Sequence, residues 1–130
     1  MTAAASSDRI RFEGLHHVQL AIPAGAEDAC RQFWGAVGLV EIAKPPVLAG
    51  RGGCWFRAGQ LEVHCGVDPE FRPASKAHPG ILVGNLRALA ARLADAHITI
   101  DWDDTFPGYS RFYAADPVGN RLEFMEPVVT

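Results

Sequence analysis

Gly59-Gln60-Leu61-Glu62-Val63 is echoed 61 residues later by Asn120-Arg121-Leu122-Glu123-Phe124, and the same displacement lays His17 on His78. A fixed-offset echo of this kind implies two copies of one supersecondary unit. Each copy carries a histidine near its start and a glutamate near its end. Two imidazoles and two carboxylates brought together by such a pseudo-symmetry have the donor types of a divalent metal site.

The chain between the echoed ends repeats one order of elements. Leu15 to Ile22 is a strand pattern stopped by Pro23-Ala24-Gly25. A short amphipathic helix follows, with Ala26, Ala29, Cys30, Phe33 and Val37 at helical spacing, Glu27 and Asp28 in its first turn, and Gly38 ending it. Strands are predicted around 39–42, 53–57 and 61–67, separated by turns at Pro45-Pro46 and Ala58-Gly59. A polar connector over residues 68–76 divides the chain, and the order then repeats: a strand at 81–83, a helix with Leu86, Leu89, Ala90 and Leu93 on one face, and strands near 98–102, 111–115 and 121–126. Asp116-Pro117-Val118-Gly119-Asn120 supplies the tight turn before the last strand. The expectation is an α+β fold of two βαβββ modules, one over about 13–67 and one over about 77–127, preceded by a tail at 1–12. The 61-residue offset does not persist through the helices, so compensating insertions and deletions lie between the matched ends.

Side chains alternate faces along a strand. Val18, Leu20 and Ile22 form an apolar set, leaving His17, Gln19 and Ala21 opposite. Leu61, Val63 and Cys65 oppose Glu62 and His64; Leu122 and Phe124 oppose Arg121, Glu123 and Met125; Ile81 and Val83 oppose His78. Every candidate ligand therefore lies on the face not needed for packing on a helix. Singly, each would be an ordinary solvated residue of a half-exposed sheet. Four at a repeated spacing outweigh that reading.

Bulk properties narrow the classes. At 130 residues the chain is one domain, long enough to bury a core without staples. A net charge of -3 gives no electrostatic reason to expect nucleic acid or an anionic membrane. Cys30, Cys54 and Cys65 match no zinc spacing and cannot all pair within the chain, so reduced core thiols are expected. Residues 1–7 lack the basic start and apolar run of a signal peptide, and no stretch approaches the roughly 18 apolar residues of a membrane span. A cytoplasmic location is the expectation.

Leu15-His16-His17-Val18-Gln19-Leu20, Phe33-Trp34-Gly35-Ala36-Val37-Gly38-Leu39, His78, and Asp116-Pro117-Val118-Gly119-Asn120-Arg121-Leu122-Glu123 together resemble the vicinal oxygen chelate superfamily. That group includes glyoxalase I, fosfomycin-modifying thiol transferases, extradiol dioxygenases and bleomycin-sequestering proteins. The resemblance implies two half-barrel modules around a cleft, a homodimer, and a small-molecule substrate. It also implies that His17, His78 and Glu123 hold one divalent metal (Ni, Zn, Co, Mn or Fe(II)), with Glu62 completing the set of the glyoxalase I kind. One departure stands out: Val63-His64-Cys65-Gly66 follows Glu62 where glyoxalases carry polar residues.

Glu123, Glu62 and His64 are the candidate acid/base groups, a metal-held substrate being the partner from which a proton moves. His64, two residues from Glu62 on the same face, is also an alternative ligand. Gln19, Trp55, Arg57, Arg111 and Tyr113 are candidate substrate contacts, either arginine being able to hold an anionic group. The competing expectation is a metal-free binding protein that sequesters an aromatic or antibiotic-like ligand in the same cleft.

Overall fold

The computed structural model describes residues 8–129, so most of the tail expected over 1–12 lies outside the described residues. Strands β1 (Val18–Ile22), β2 (Val40–Ile42), β3 (Cys54–Ala58) and β4 (Leu61–Val67) form one sheet in the order β1-β4-β3-β2. Strands β5 (Gly80–Leu82), β6 (Asp101–Asp103), β7 (Tyr109–Ala115) and β8 (Arg121–Pro127) form a second in the matching order β5-β8-β7-β6. In each sheet the first and last strands run parallel and the remaining pairs antiparallel. The α+β fold of two βαβββ modules is therefore the observed architecture.

Helix α1 (Glu27–Val37) crosses between β1 and β2 and buries Cys30, Phe33, Trp34 and Val37. Trp34 joins the face read from the sequence, whereas Ala29 is exposed. Gly38 ends the helix at φ 117°, its N–H donating to the Gly35 and Trp34 carbonyls, a left-handed position that suits glycine. A one-turn helix, α2 (Pro46–Ala49), lies where the Pro-Pro pair suggested only a turn. Pro46 sits at its first position, where proline's fixed φ and missing N–H cost nothing. Helix α3 (Leu86–Asp95) buries Leu86, Leu89 and Leu93 as its spacing required.

One apolar cluster runs through both modules, from Ile22, Trp34 and Phe56 to Leu93, Phe112 and Phe124. The helices cover one face of each sheet, so the other faces carry the polar positions of the strands. Asn120 ties the modules together: its side-chain amide donates to the Ala21 carbonyl of β1 at 2.8 Å and to Asp116 Oδ2 at 2.9 Å. Burial pushes the Asp116 carboxyl up, opposed by hydrogen bonds from Asn120, Val118 and Gly119. Cys30, Cys54 and Cys65 are free and buried. Among the described residues, no helix is long and apolar enough to cross a membrane.

Candidate functional site

The edge strands β1 and β5 border a cleft of about 700 Å³ whose walls include His16, His17, Gln19, Glu62, His78 and Arg121. His17 immediately precedes β1 and His78 lies two residues before β5. Glu62 stands near the start of β4 and Glu123 near the start of β8.

The ligands expected from the sequence meet in pairs. His78 Nε2 lies 2.9 Å from Glu123 Oε1, and His64 Nε2 lies 2.9 Å from Glu62 Oε1. Among the described residues, no group of three or more His, Cys, Asp or Glu side chains is arranged to hold a metal ion. The two pairs sit on different modules.

Pairing register refines the repeat. In module one Gln19 lies opposite His64; in module two Gly80, which the 61-residue shift lays on Gln19, lies opposite Glu123. The register position of Glu123 is thus held in module one by His64, and that of Glu62 is held in module two by Arg121. Contacts agree with this. His78 reaches Glu123, while His17 stacks on His64 with ring centroids 4.0 Å apart and planes 14° from parallel. The two glutamates of the sequence echo are two residues out of step in three dimensions.

His64 is sealed in this arrangement. Trp55 covers its other face at 3.7 Å and 3°, and only 3% of its side chain is exposed. The imidazole therefore backs Glu62 rather than facing the cleft. The hydrogen bond from His64 is the main cause that holds the Glu62 carboxyl below its usual range, with Arg57 adding a weaker charge from 3.8 Å. Burial, and then the charges of His64 and His16, push the His17 imidazole down.

The second pair is clamped more tightly. His78 Nδ1 lies 2.9 Å from the Lys76 carbonyl oxygen, which can only accept, so Nδ1 donates to it. Nε2 lies 2.9 Å from Glu123 Oε1, so either its own proton or a cation bridges the two atoms. Glu123 Oε2 accepts from Arg111 Nη1 at 3.0 Å. Burial pushes the Glu123 carboxyl up, but the bonds and charges of Arg111 and His78 outweigh it, and its pKa is lowered.

These features test the fit of a divalent ion. The donor types suit one, and two ligand atoms about 2.1 Å from an octahedral ion at right angles lie about 3 Å apart, close to the separation of His78 and Glu123. A histidine whose second nitrogen donates to a backbone carbonyl is the usual outer support of a metal ligand. The residues fit.

The expected substrate contacts fall out unevenly. Gln19 lines the cleft, its amide lying over Gly66, where a Cβ would come within 2.5 Å of Nε2. Trp55 supports His64. Arg57 is half-exposed beside Glu62. Arg111 is fully engaged by Glu123, Asp103 and Thr105. Tyr113 stands edge-on to His78 at 5.6 Å and carries the guanidinium of Arg121 at 4.2 Å. The sequence reading passed over Arg121 and Arg72, both of which line the cleft. Alternation with Leu122 already put Arg121 on the Glu123 face, whereas the connector gave no sign of where Arg72 would fall.

No protein-family model matches the chain, and no curated protein does. Solved structures do. A lactoylglutathione lyase of Agrobacterium tumefaciens is 19% identical, with a TM-score of 0.67 over 88% of this chain and 93% of its own. A glyoxalase/dioxygenase of Nostoc punctiforme is 19% identical, with a TM-score of 0.70 over 90% and 92%. These two support the fold alone. A crystal structure from Bacillus anthracis assigned to the glyoxalase family is 43% identical, with a TM-score of 0.89 over 92% of this chain and 99% of that one. At that identity over nearly its whole length, the chain belongs to the glyoxalase family, within the vicinal oxygen chelate superfamily.

Proposed function

We propose that this protein is a small metal-dependent enzyme of the glyoxalase or dioxygenase kind, with His17, Glu62, His78 and Glu123 as the residues that hold a divalent ion in the cleft. The observation that carries the proposal is His78: one nitrogen donates to the Lys76 carbonyl, and the other stands 2.9 Å from Glu123 Oε1, the separation of two neighbouring ligands of one ion. When bound, such an ion supplies a Lewis acid that stabilises negative charge on substrate oxygens.

The chain's own residues divide the remaining work. Glu123, held at both oxygens by His78 and Arg111, is a fixed carboxylate. Glu62 has one firm partner, His64, and 16% of its side chain is open to the cleft side. Its lowered pKa keeps it ionised at neutral pH, so it is the carboxylate placed to accept a proton from substrate carbon and return it. His64, pressed between Trp55 and His17, holds Glu62 in position for that exchange.

Elemental analysis of tag-free protein purified without chelator, beside His78→Ala, tests the proposal. About one metal per chain that is lost in the variant is the expected result, following a 2-His, carboxylate donor set. No metal after reconstitution with nickel, cobalt, manganese, iron(II) or zinc would overturn it. That result would favour the second reading, a metal-free binding protein, which draws support from the closure of each carboxylate on a histidine of its own module. The exposed apolar side chains of Leu15, Leu82 and Trp102 support the further proposal of a homodimer, which sedimentation equilibrium checks.

A further inference from the structure

The acidic groups around the cleft are all matched by cations. Glu62 has His64 and Arg57, Glu123 has His78 and Arg111, and Asp103 has Arg111. Two cleft arginines are left over. Among the described residues, neither Arg72 nor Arg121 forms an ion pair or a side-chain hydrogen bond, although both line the cavity.

Arg121 is partly buried and sits over the Tyr113 ring, its guanidinium carbon 4.2 Å from the centroid, so the cation is held by the ring while its donors stay free. It occupies in module two the register position that Glu62 occupies in module one. Arg72 comes to the same end of the cleft through its neighbour Pro73, which packs on the turn before Arg121: a Cβ built on Gly119 would stand 3.3 Å from Pro73 Cγ. A guanidinium with unpaired donors at a cavity wall presents a fork that matches a carboxylate or phosphate. The wall also carries apolar side chains, among them Leu61, Ala77, Pro79 and Ile81.

We infer that Arg121 and Arg72 form an oxyanion subsite beside His78, and that the cleft takes a small organic acid whose carboxylate or phosphate meets the two guanidiniums while its apolar body lies along Leu61, Pro79 and Ile81. This deepens the metal-enzyme reading by naming its substrate class and rests on it for chemistry, though not for binding. Arg111, a sequence candidate for the same task, is committed to Glu123 and is a positioning residue instead.

The test is calorimetric titration of the protein as purified with phenylacetate, phenylphosphate and the neutral phenylacetamide. The same titrations are run on Arg121→Met, which keeps the packing on Tyr113, and on Arg72→Gln, a change at an exposed residue of the connector. Metal content is measured on every sample. At least one anion binding about tenfold or more tightly than the amide is expected, with that preference lost in Arg121→Met and reduced in Arg72→Gln. The stronger of the two anions identifies carboxylate or phosphate as the group recognised. Equal binding of anions and amide, no binding of any probe, or an undiminished preference in both variants would overturn the subsite. An anion preference in protein that takes up no metal on reconstitution would keep the subsite and remove the metal reading; stoichiometric metal without an anion preference would do the reverse.

Discussion

Single residues of this site are fixed by neighbours on adjacent strands. His64 illustrates this: the alternation of β4 marks it as facing away from the helix, yet it is sealed by Trp55 from β3 and by His17 just before β1. Asp103 is a second case. It accepts from the Thr105 hydroxyl, at 2.6 Å, and from the Thr105 N–H, at 2.8 Å, and it is paired with Arg111. These contacts, the Thr105 hydroxyl first, depress its pKa from 3.8 to about 2. A carboxylate depressed on folding contributes stability that is present above pH 3.8 and lost as pH falls through about 2. Asp103→Asn should therefore lower the melting temperature at pH 7, and the gap to wild type should shrink as pH drops from 4 to 2. Thermal melts of both proteins across that range check it; a gap that is constant with pH contradicts the assignment.

Elements were mostly legible because their signals are local. The apolar spacing of α1 and α3 and the alternation in β1, β4 and β8 need no knowledge of partners. Helix α2 was missed because Pro45-Pro46 signals a turn and a first helical position equally well. The start of α3 shows what local signals omit. Asn85 sits at φ 62° with its side chain accepting from the Ala88 N–H, while Glu126, brought from β8, accepts from the Asn85 and Leu86 N–H groups. Those bonds, Leu86's first, lower the Glu126 pKa. Asn85→Ala loses the cap and meets a left-handed backbone, at a combined cost of about 1–3 kcal/mol. Asn85→Gly keeps the backbone conformation and should cost only a few tenths of a kcal/mol, at most about 0.5 kcal/mol. Urea unfolding of the two variants separates these expectations; equal losses would show that the left-handed conformation carries no cost.

At the scale of the molecule, the two modules share a core and are pinned by Asn120. Replacing Asn120 with alanine removes the donor to Ala21 and one of the partners of buried Asp116. A destabilisation of about 1–3 kcal/mol is expected from urea unfolding at pH 7, since buried polar groups lose partners. A change within error would mean that water replaces the amide at the module junction.

The sequence by itself determined the two-module α+β fold and the faces of the strands, and it singled out His17, Glu62 and His78, which border the cleft, because hydrophobic alternation and helical spacing are properties of consecutive residues. Tertiary structure alone decided which of them touch. Gln19 and its opposite residue His64 are 45 positions apart, whereas Gly80 and Glu123 are 43 apart, and that two-residue difference puts Arg121 where Glu62 would be expected to have its counterpart. It also decided which cations are already neutralised and which remain free. Strand register and ion pairing depend on where intervening loops return the chain, and one sequence carries no local record of that distance.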